Sequence, residues 1–587
     1  MSDQKLPDEK KTDEKLQEEV LSDDTVKMPK FSEIEYKRPS VEQFRECAMS
    51  TRLKLMAARD ADVVETAVMA FQREMSAFDT AFTICMIRHD LDTVDPFWNE
   101  EMDFFDENYP IISDLTAGVY TAMLHSEIRG ELEERFGSMI FRKTQNQRDI
   151  VSSEVLDDLA KESSLENDYS QILSEADILF KGKHQTLSTM TPFFESTDRE
   201  VRKKAQKAVS DYYAAQKERF DEIYDEMVKT RTEIAHKLGF KDFVELGYKR
   251  MERYDYGPEQ VKVFRDNVVK YIVPITSEIR RLQKNRLELD SLKYYDLPCL
   301  FVHGNPVPQI PKEKYFETGS KMFGQMFDRD PSYFEVLGNH DFMDLFSRQN
   351  KATGGYCASL LDYGIPFILM NANHTADDIA TMVHESGHAY AALRSIDSSQ
   401  FIECLSPTLE ACEIHSTAME YMTYPYMELF FGKSADAYRE QHMTLALLFL
   451  PYGCLVDEYQ HVVYSHPEMT KEERHAAWRE LEKKYQPDID YDGDPFYEEG
   501  GAWMKKEHIF TSPFYYIDYC LAQVCALQIW DISRKNRKKA MMIYEHLCAA
   551  GGTRTLIDLV ESAGLQSPFS VDVMKKLAYQ MCDYLNL

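Results

Sequence analysis

Apolar residues recur at intervals of three and four along most of the first 240 positions, with charged residues between them. This spacing places apolar side chains on one face of an α-helix, which a protein core then covers. The clearest stripe is Phe220, Ile223, Tyr224 and Met227, and Gly239 is a suitable stop for its helix. We therefore predict a succession of long, core-facing helices over residues 41–59, 61–89, 94–135, 150–182 and 201–239.

The pattern changes further along the chain. Helical spacing returns at 257–290, and a loop rich in Gly and Pro follows at 293–313. Two short apolar runs, 354–361 and 365–373, are bounded by Gly and Pro and predict a small β-hairpin or meander. Such an edge strand could pair with an extended peptide, although a plain buried hairpin fits the pattern equally well. Beyond residue 400 the pattern is helical again, which makes the predicted fold mainly α with a small β-element.

Composition and charge limit the functional classes. The 587 residues are 44% hydrophobic and 29% charged, as in ordinary globular proteins. A net charge of −32 argues against a general nucleic-acid or acidic-membrane binder, because phosphate contacts need clustered Lys and Arg. No apolar run approaches the roughly 20 residues that span a bilayer, and the first residues lack the apolar core of a signal peptide. Residues 1–30 are rich in Asp, Glu and Lys and predict a disordered acidic tail.

The cysteines indicate the redox compartment. There are eleven of them, scattered without a C-x-x-C pair or dense disulfide-like spacing. An odd number of cysteines in a chain without an export signal is typical of reduced thiols. We therefore predict a cytoplasmic protein.

The residues with the clearest chemical signature are His384, Glu385 and His388, which form the pattern H-E-x-x-H. On a helix, positions i and i+4 project from one face, so two neutral imidazoles can bind one zinc ion. The glutamate between them can then act as a general base toward water. The local sequence favours a helix, because Thr375 can cap it with Asp378 three residues on.

A catalytic zinc needs a third protein ligand. Residues 402–430 are predicted to be a helix that carries several candidates, and residue chemistry does not choose among them. They are Glu403, Glu410, Glu413, His415 and Glu420. Glu410 and Glu420 could instead orient the zinc-binding histidines, or they could be solvated helix charges.

Several stretches of the chain resemble the thimet oligopeptidase family of zinc peptidases, and within it the oligoendopeptidase F and Pz-peptidase branch. HESGH is followed 25 residues later by Glu413 in ACEIHSTAMEY, as in that family. Further matching stretches run from near residue 31 to the C-terminal GGTRTL: FSEIEYKRP, GYKRMERYDY at 247–256, GGYC at 354–357 and HIFTSPFYYIDY at 508–519. Many relatives have another His where this chain has Ala391, but that residue is not a metal ligand in the family.

The resemblance implies a metal site and a fold. His384, His388 and Glu413 would hold one zinc ion per chain, with Glu385 as the base. Two helical lobes would enclose a deep substrate channel, and we assign residues 31–200 to an N-terminal lobe and 201–587 to the catalytic region.

The transition state needs hydrogen-bond donors beyond the metal. His508, Tyr515, Tyr516 and Tyr519 could supply them, and the resemblance favours His508 and Tyr519, with Tyr516 next. Aromatic core packing is the other interpretation of these tyrosines.

The predicted function is that of a cytoplasmic zinc endopeptidase acting on short oligopeptides, with no nucleic-acid or membrane partner. A metallocarboxypeptidase with a similar helical shell is one alternative, although the sequence shows no group that would capture a terminal carboxylate. The other alternative is a non-catalytic peptide-binding protein with a vestigial zinc site, against which the intact Glu385 argues.

Overall fold

The computed structural model describes residues 28–57 and 59–587, so most of the predicted acidic tail, 1–30, lies outside the described residues. The chain forms two compact units, each assembled from separate stretches of sequence. The first unit contains the described residues up to Gly137, together with Pro308–Ser406 and Glu545–Thr553. The second contains Ser138–Val307, Pro407–Tyr544 and Arg554–Leu587. The division into lobes at 31–200 and 201–587 stays a prediction. The substrate channel that these lobes would enclose also stays a prediction.

The first unit has helices around a small sheet. Its α-helices are Val41–Ala57, Ala61–Leu91, Pro96–Leu124, Arg129–Phe136, Tyr315–Phe327, Tyr333–Asn339 and Ala376–Ser395, and its 3-10 turns are Phe31–Glu33, Lys312–Lys314, Leu361–Tyr363 and Ile402–Cys404. Its core includes edge-to-face contacts of Phe44 with Phe71 and of Phe78 with Phe105. These contacts join the first three long helices through apolar stripes of the predicted kind.

The second unit is built on its longest helix, Arg199–Lys237. Tyr224 of this helix is buried against Trp503 and Phe510. The other α-helices are Ser138–Ile150, Leu156–Ser174, Leu187–Phe194, Phe243–Arg250, Pro258–Tyr271, Val273–Arg286, Leu409–Met422, Glu428–Phe431, Ala435–Ser465, Lys471–Tyr485, Pro495–Glu498, Glu507–Thr511, Tyr516–Lys535, Arg537–Ala549 (from Glu545 on assigned to the first unit), Leu556–Ser562 and Val571–Leu585. Short 3-10 turns lie at Ser153–Val155, Tyr294–Asp296, Tyr424–Tyr426, Gly432–Ser434 and Gly501–Lys505.

The mainly α prediction is confirmed, and the differences lie at helix boundaries. The predicted helix 94–135 is two helices. The stretch 150–182 contains a helix and then strand Ile178–Phe180, which forms a hairpin with Lys183–Gln185 just beyond it. Lys181 and Gly182 both have positive φ, 49° and 77°, and such a two-residue turn reverses the chain. Pro274 divides 257–290 because it cannot donate to the preceding turn. Gly239, with φ 85°, follows the long helix as predicted.

The predicted β-element is present and larger than expected. Strand Tyr356–Leu360 pairs antiparallel with Ile365–Ala372, in the register Tyr356 to Leu369 and Leu360 to Ile365. A third strand, Met343–Phe346, pairs parallel with the other side of Ile365–Ala372, so Tyr356–Leu360 stays at an edge of this sheet. Its sequence, MDLF, was too short for the apolar pattern to predict a strand.

None of the helices in the described part of the chain is both long enough and apolar enough to span a membrane.

Candidate metal centre and its surroundings

The H-E-x-x-H pattern lies on helix Ala376–Ser395, which we call the His384 helix. Asp378 fixes the start of this helix, as predicted. Its carboxylate accepts hydrogen bonds from the backbone N–H of His374, at 2.6 Å, and of Thr375, at 3.1 Å, and from the Thr375 hydroxyl. These contacts satisfy backbone donors that a helix start leaves unpaired. The helix packs against strands Tyr356–Leu360 and Ile365–Ala372, which fixes its position within the first unit.

The two histidines lie on one face of the His384 helix. Their ring centroids are 5.0 Å apart and their planes are nearly perpendicular, at 82°. Glu385 is 7% exposed and approaches the end of the edge strand at Gly355. A Cβ atom added at Gly355 would lie 3.7 Å from Oε1 of Glu385. The glycine therefore leaves the space beside this carboxylate open.

Glu413 supplies the third ligand-type side chain. One nitrogen each of His384 and His388 and one carboxylate oxygen of Glu413 lie within 4.8 Å of one another. Two imidazoles and one carboxylate are a common ligand set of catalytic zinc, with one position left for water. The chemistry of these donors therefore fits the predicted metal.

The other candidates for the third ligand have different surroundings. Glu403 accepts a short hydrogen bond from Tyr120. Glu420 contacts Nε2 of His442 through Oε2, at 2.6 Å. Glu410 is 1% exposed, and burial, followed by the charge of Asp518, raises its pKa to about 8. Within the part of the chain that the structure describes, Glu413 is the acidic residue that groups with the two histidines.

Both carboxylate oxygens of Glu413 are hydrogen-bonded within the second unit. Tyr515 donates its hydroxyl to Oε1 at 2.9 Å, and Ser416 donates to Oε2 at 2.9 Å. Glu413 lies on helix Leu409–Met422, which packs against helix Tyr516–Lys535. Hydrogen bonds of this kind orient metal ligands. Sequence reasoning offered Tyr515 as a transition-state donor and missed this contact with Glu413.

The predicted transition-state residues form one aromatic cluster. The His508 ring centroid lies 4.9 Å from that of Tyr516, 5.9 Å from Tyr515 and 6.0 Å from Tyr519. Burial, and then the nearby charge of Lys506, lower the pKa of His508 to about 4, so the imidazole is neutral at neutral pH. Burial also raises the pKa values of Tyr515 and Tyr516, so both keep their hydroxyl protons.

The turn that presents Tyr515 is held on three sides. Phe514 has a positive φ of 67°, which is uncommon for a bulky residue. Its N–H donates to Oε1 of Gln460 at 2.8 Å, and its carbonyl accepts from Nη2 of Arg253 at 2.5 Å. Its ring fills the space over Gly247, where an added Cβ would come within 2.5 Å of it. Arg253 and Gly247 both belong to GYKRMERYDY, a stretch that the sequence analysis noted without assigning it a role.

Comparison with known proteins identifies the class. A family model described as Peptidase family M3 matches residues 193–579, and one described as Peptidase M3 N-terminal domain matches 31–151. The chain belongs to peptidase family M3. The resemblance found in the sequence is thereby confirmed at the level of the family.

Individual relatives extend over nearly the whole chain. Oligopeptidase PepF of Bacillus subtilis (strain 168) is 24% identical over 573 residues, which cover 91% of this chain and 82% of that protein. A solved structure titled PZ peptidase A with inhibitor 2 is 42% identical, with a TM-score of 0.89, and covers 95% of this chain and 99% of its own. Oligoendopeptidase-F from Enterococcus faecium has a TM-score of 0.61 at 16% identity, covers 93% of this chain and 96% of its own, and shows the fold alone.

Proposed function

We propose that this M3 peptidase is a zinc-dependent endopeptidase that hydrolyses internal bonds of short oligopeptides, with Glu385 as the general base. The observation that carries the proposal is the approach of His384, His388 and Glu413 to within 4.8 Å, with Glu385 next to His384 in the chain. The names of its relatives, an oligopeptidase and a PZ peptidase, support peptides as the substrate class. A cytoplasmic location is proposed on the sequence grounds given above.

Zinc held by His384, His388 and Glu413 would lower the pKa of a water molecule and polarise the peptide carbonyl. Glu385 would take a proton from the attacking water and pass it to the leaving amine. Its burial screens this carboxylate from bulk solvent, and Gly355 leaves the space beside it open. A binding protein has no use for such a base, which favours catalysis over the peptide-binding alternative.

The edge strand Tyr356–Leu360 offers a place for the substrate backbone. One side of this strand pairs with Ile365–Ala372, and the other has no strand partner among the described residues. An extended peptide can add to such an edge through main-chain hydrogen bonds. Because the strand follows Gly355, a peptide bound there would pass close to Glu385.

His508 and Tyr519 would stabilise the negative charge that develops on the substrate carbonyl oxygen, with Tyr516 as a further candidate. Donors placed before the reaction begins are effective because they need not reorganise as the charge appears. The low pKa of His508 keeps its ring neutral at neutral pH, when one ring nitrogen carries a proton to donate. The hydroxyl groups of Tyr516 and Tyr519 carry donors of the same kind.

Glu385→Gln tests the proposed base. The amide keeps the size of the side chain but cannot accept the proton, so kcat/KM for a short peptide should fall by about 100- to 10,000-fold. The zinc content of the purified variant should equal that of the wild type. If kcat/KM of the Glu385→Gln variant equals that of the wild-type protein, Glu385 is not the general base.

Two further variants test the metal ligands. Glu413→Gln should lower the zinc content, measured by atomic emission. Glu420→Gln is the matched control and should retain zinc, since the Glu420 carboxylate contacts His442. Removal of the metal by a chelator should abolish peptide cleavage, and added zinc should restore it.

The products separate the proposal from its alternatives. Mass spectrometry of digests should show cleavage of internal bonds in short peptides and no cleavage of a folded protein. Sequential release of single C-terminal residues would establish a carboxypeptidase instead. Full zinc content without cleavage of any peptide would establish a binding protein.

A further inference from the structure

Lys506 is a half-buried cation that lies against two tyrosine rings. Its Nζ donates to the hydroxyl of Tyr516 at 3.1 Å and lies 4.4 Å from the centroid of that ring and 5.5 Å from the ring of Tyr452. Among the residues that the structure describes, no carboxylate oxygen lies within 4.0 Å of this ammonium group, whereas Lys351 has Oδ1 of Asp344 at 2.6 Å. Lys506 therefore differs from a lysine buried to stabilise the fold.

The positive charge of the Lys506 ammonium group is poorly compensated in the free protein. An ammonium group has three donors, and the described residues provide one hydrogen-bond acceptor, the Tyr516 hydroxyl. Screening of a charge from water costs free energy unless an opposite charge compensates for it. Burial lowers the pKa of Lys506 to about 8, against the opposing charge of Glu507, so the group still carries its proton at pH 7. A carboxylate from outside the protein would supply the missing charge.

The position of Lys506 connects it with the proposed active site. Tyr516, which accepts its hydrogen bond, lies 4.9 Å from His508 between ring centroids. The His508 ring in turn stacks near Tyr515, whose hydroxyl donates to Glu413. All of these contacts lie within the second unit and lead from the ammonium group to a proposed metal ligand.

The alternative is a purely structural role, in which Lys506 only packs against Tyr452 and Tyr516. A cation over an aromatic ring is attracted to the electron-rich face of the ring, and the attraction is stronger when the pair is desolvated. Lys505 illustrates this purely structural arrangement, because its Nζ donates to the Tyr497 hydroxyl at 2.8 Å and lies 5.2 Å from that ring centroid. Among the described residues, Lys505 makes its hydrogen bond and its cation–ring contacts with Tyr497 and Tyr213, neither of which is proposed for catalysis, so it provides a matched comparison for Lys506.

We propose that Lys506 binds a carboxylate of the peptide substrate and selects peptides that carry one near the scissile bond. The inference rests on the proposed peptidase function and names the chemistry of its substrates. The carboxylate could be the C-terminus of the peptide or an acidic side chain, and both would complete the same ion pair with Nζ. In either case the aromatic rings of Tyr452 and Tyr516 would shield the pair from water.

The experiment compares matched peptides that differ in one charge. The first pair has the same sequence with a free or an amidated C-terminus, and the second pair has Glu or Gln at one position on the C-terminal side of the cleaved bond. Wild-type protein should cleave the charged member of one pair with a kcat/KM about 10- to 100-fold higher, as expected for a hydrogen bond to a charged group. The pair that shows the preference identifies the source of the carboxylate.

Two lysine variants assign the preference to a residue. Lys506→Met should remove the preference, mainly by raising KM for the charged peptide relative to KM for its uncharged partner. Lys505→Met should keep the preference. Equal kcat/KM values for both members of both pairs in the wild type, or a preference that survives Lys506→Met, would overturn the proposal.

Equilibrium binding separates this proposal from the peptidase function itself. If the wild type cleaves none of the peptides, the peptidase proposal fails, but binding to Lys506 is still measurable by calorimetry. In the Glu385→Gln background, the charged peptide should bind about 10- to 100-fold more tightly than its uncharged partner, and Lys506→Met should abolish the difference. Equal binding of the two peptides would refute the role of Lys506.

Discussion

The hydroxyl of Tyr515 donates a 2.9 Å hydrogen bond to Oε1 of Glu413, the side chain proposed as the third metal ligand. The turn before Tyr515 is itself held by Gln460 and Arg253 through the backbone of Phe514. A carboxylate held in this way has fewer orientations to lose when a metal binds. In the proposed site Tyr515 would therefore be a positioning residue, whose effect would reach the metal through Glu413.

Replacement of Tyr515 by Phe should weaken metal binding. The variant removes one hydroxyl that orients Glu413 and leaves the three ligands in place. Loss of such a partner lowers metal affinity by about 10- to 100-fold. Competition with a chromophoric chelator measures the zinc dissociation constant directly and does not depend on peptide cleavage.

Tyr544→Phe is the control for this change. Tyr544 donates its hydroxyl to the backbone carbonyl of His415, at 3.0 Å, on the same helix as Glu413. Its replacement tests whether general loosening of the helix is enough to release metal. A zinc dissociation constant equal to that of the wild type in Tyr515→Phe, or an equal loss of affinity in both variants, would contradict the positioning role.

Gly355→Ala should lower activity with little loss of stability. The added methyl group would lie 3.7 Å from Oε1 of Glu385 and 3.3 Å from Cγ2 of Thr381, both on the His384 helix. It would therefore narrow the space beside the proposed base and press on the helix that carries it. Small displacements of this kind reduce rates by up to about 100-fold, and we expect kcat/KM to fall by about 10- to 100-fold.

The matched control is Gly130→Ala, where an added Cβ would meet no described atom within 4 Å apart from the neighbouring backbone of its own helix. It should leave kcat/KM unchanged. The thermal midpoint of Gly355→Ala, measured by calorimetry, should stay within a few degrees of the wild type, so that any rate effect is local. Full activity in Gly355→Ala would show that the space beside Glu385 is not needed.

Asp79→Asn should stabilise the protein at neutral pH. Burial, and then the charges of Glu403 and Asp362, raise the pKa of Asp79 from 3.8 to about 6. A raised pKa means that the folded state binds this proton more tightly than the unfolded state. The free energy of unfolding therefore falls as the pH rises from 3.8 to 6. Above pH 6 this loss of stability is complete and amounts to at most about 3 kcal/mol. The neutral amide avoids this cost.

The thermal midpoint at two pH values checks this prediction. Asp79→Asn should melt above the wild type at pH 7.5, and the difference should shrink at pH 5, where the wild-type side chain is largely protonated when folded. Asp103→Asn, an exposed position on helix Pro96–Leu124, should change the midpoint little at either pH. A difference that grows on acidification would have the wrong sign for the proposed cause.

Much of the fold could be predicted because its determinants are local. Apolar spacing identified the helices Val41–Ala57, Ala61–Leu91 and Arg199–Lys237, and Gly and Pro marked the strands before the His384 helix. The boundaries that were missed depend on single backbone features. Pro274 divides one helix, and the positive φ of Lys181 makes a turn in a stretch that is otherwise apolar enough for a helix.

The sequence by itself determined the core of the candidate site: His384 and His388 share a face because the geometry of one helical turn requires it. Asp378 likewise caps the helix of these histidines through contacts with residues close to it in the sequence. Residue chemistry left five candidates for the third ligand open, and the resemblance implied Glu413. The tertiary structure groups the Glu413 carboxylate with the two imidazoles, which local geometry does not decide for residues 25 apart in the chain. Packing within the second unit also places Tyr515 on Glu413 and leaves Lys506 with no carboxylate oxygen within 4.0 Å among the described residues. No short stretch of sequence encodes either relationship.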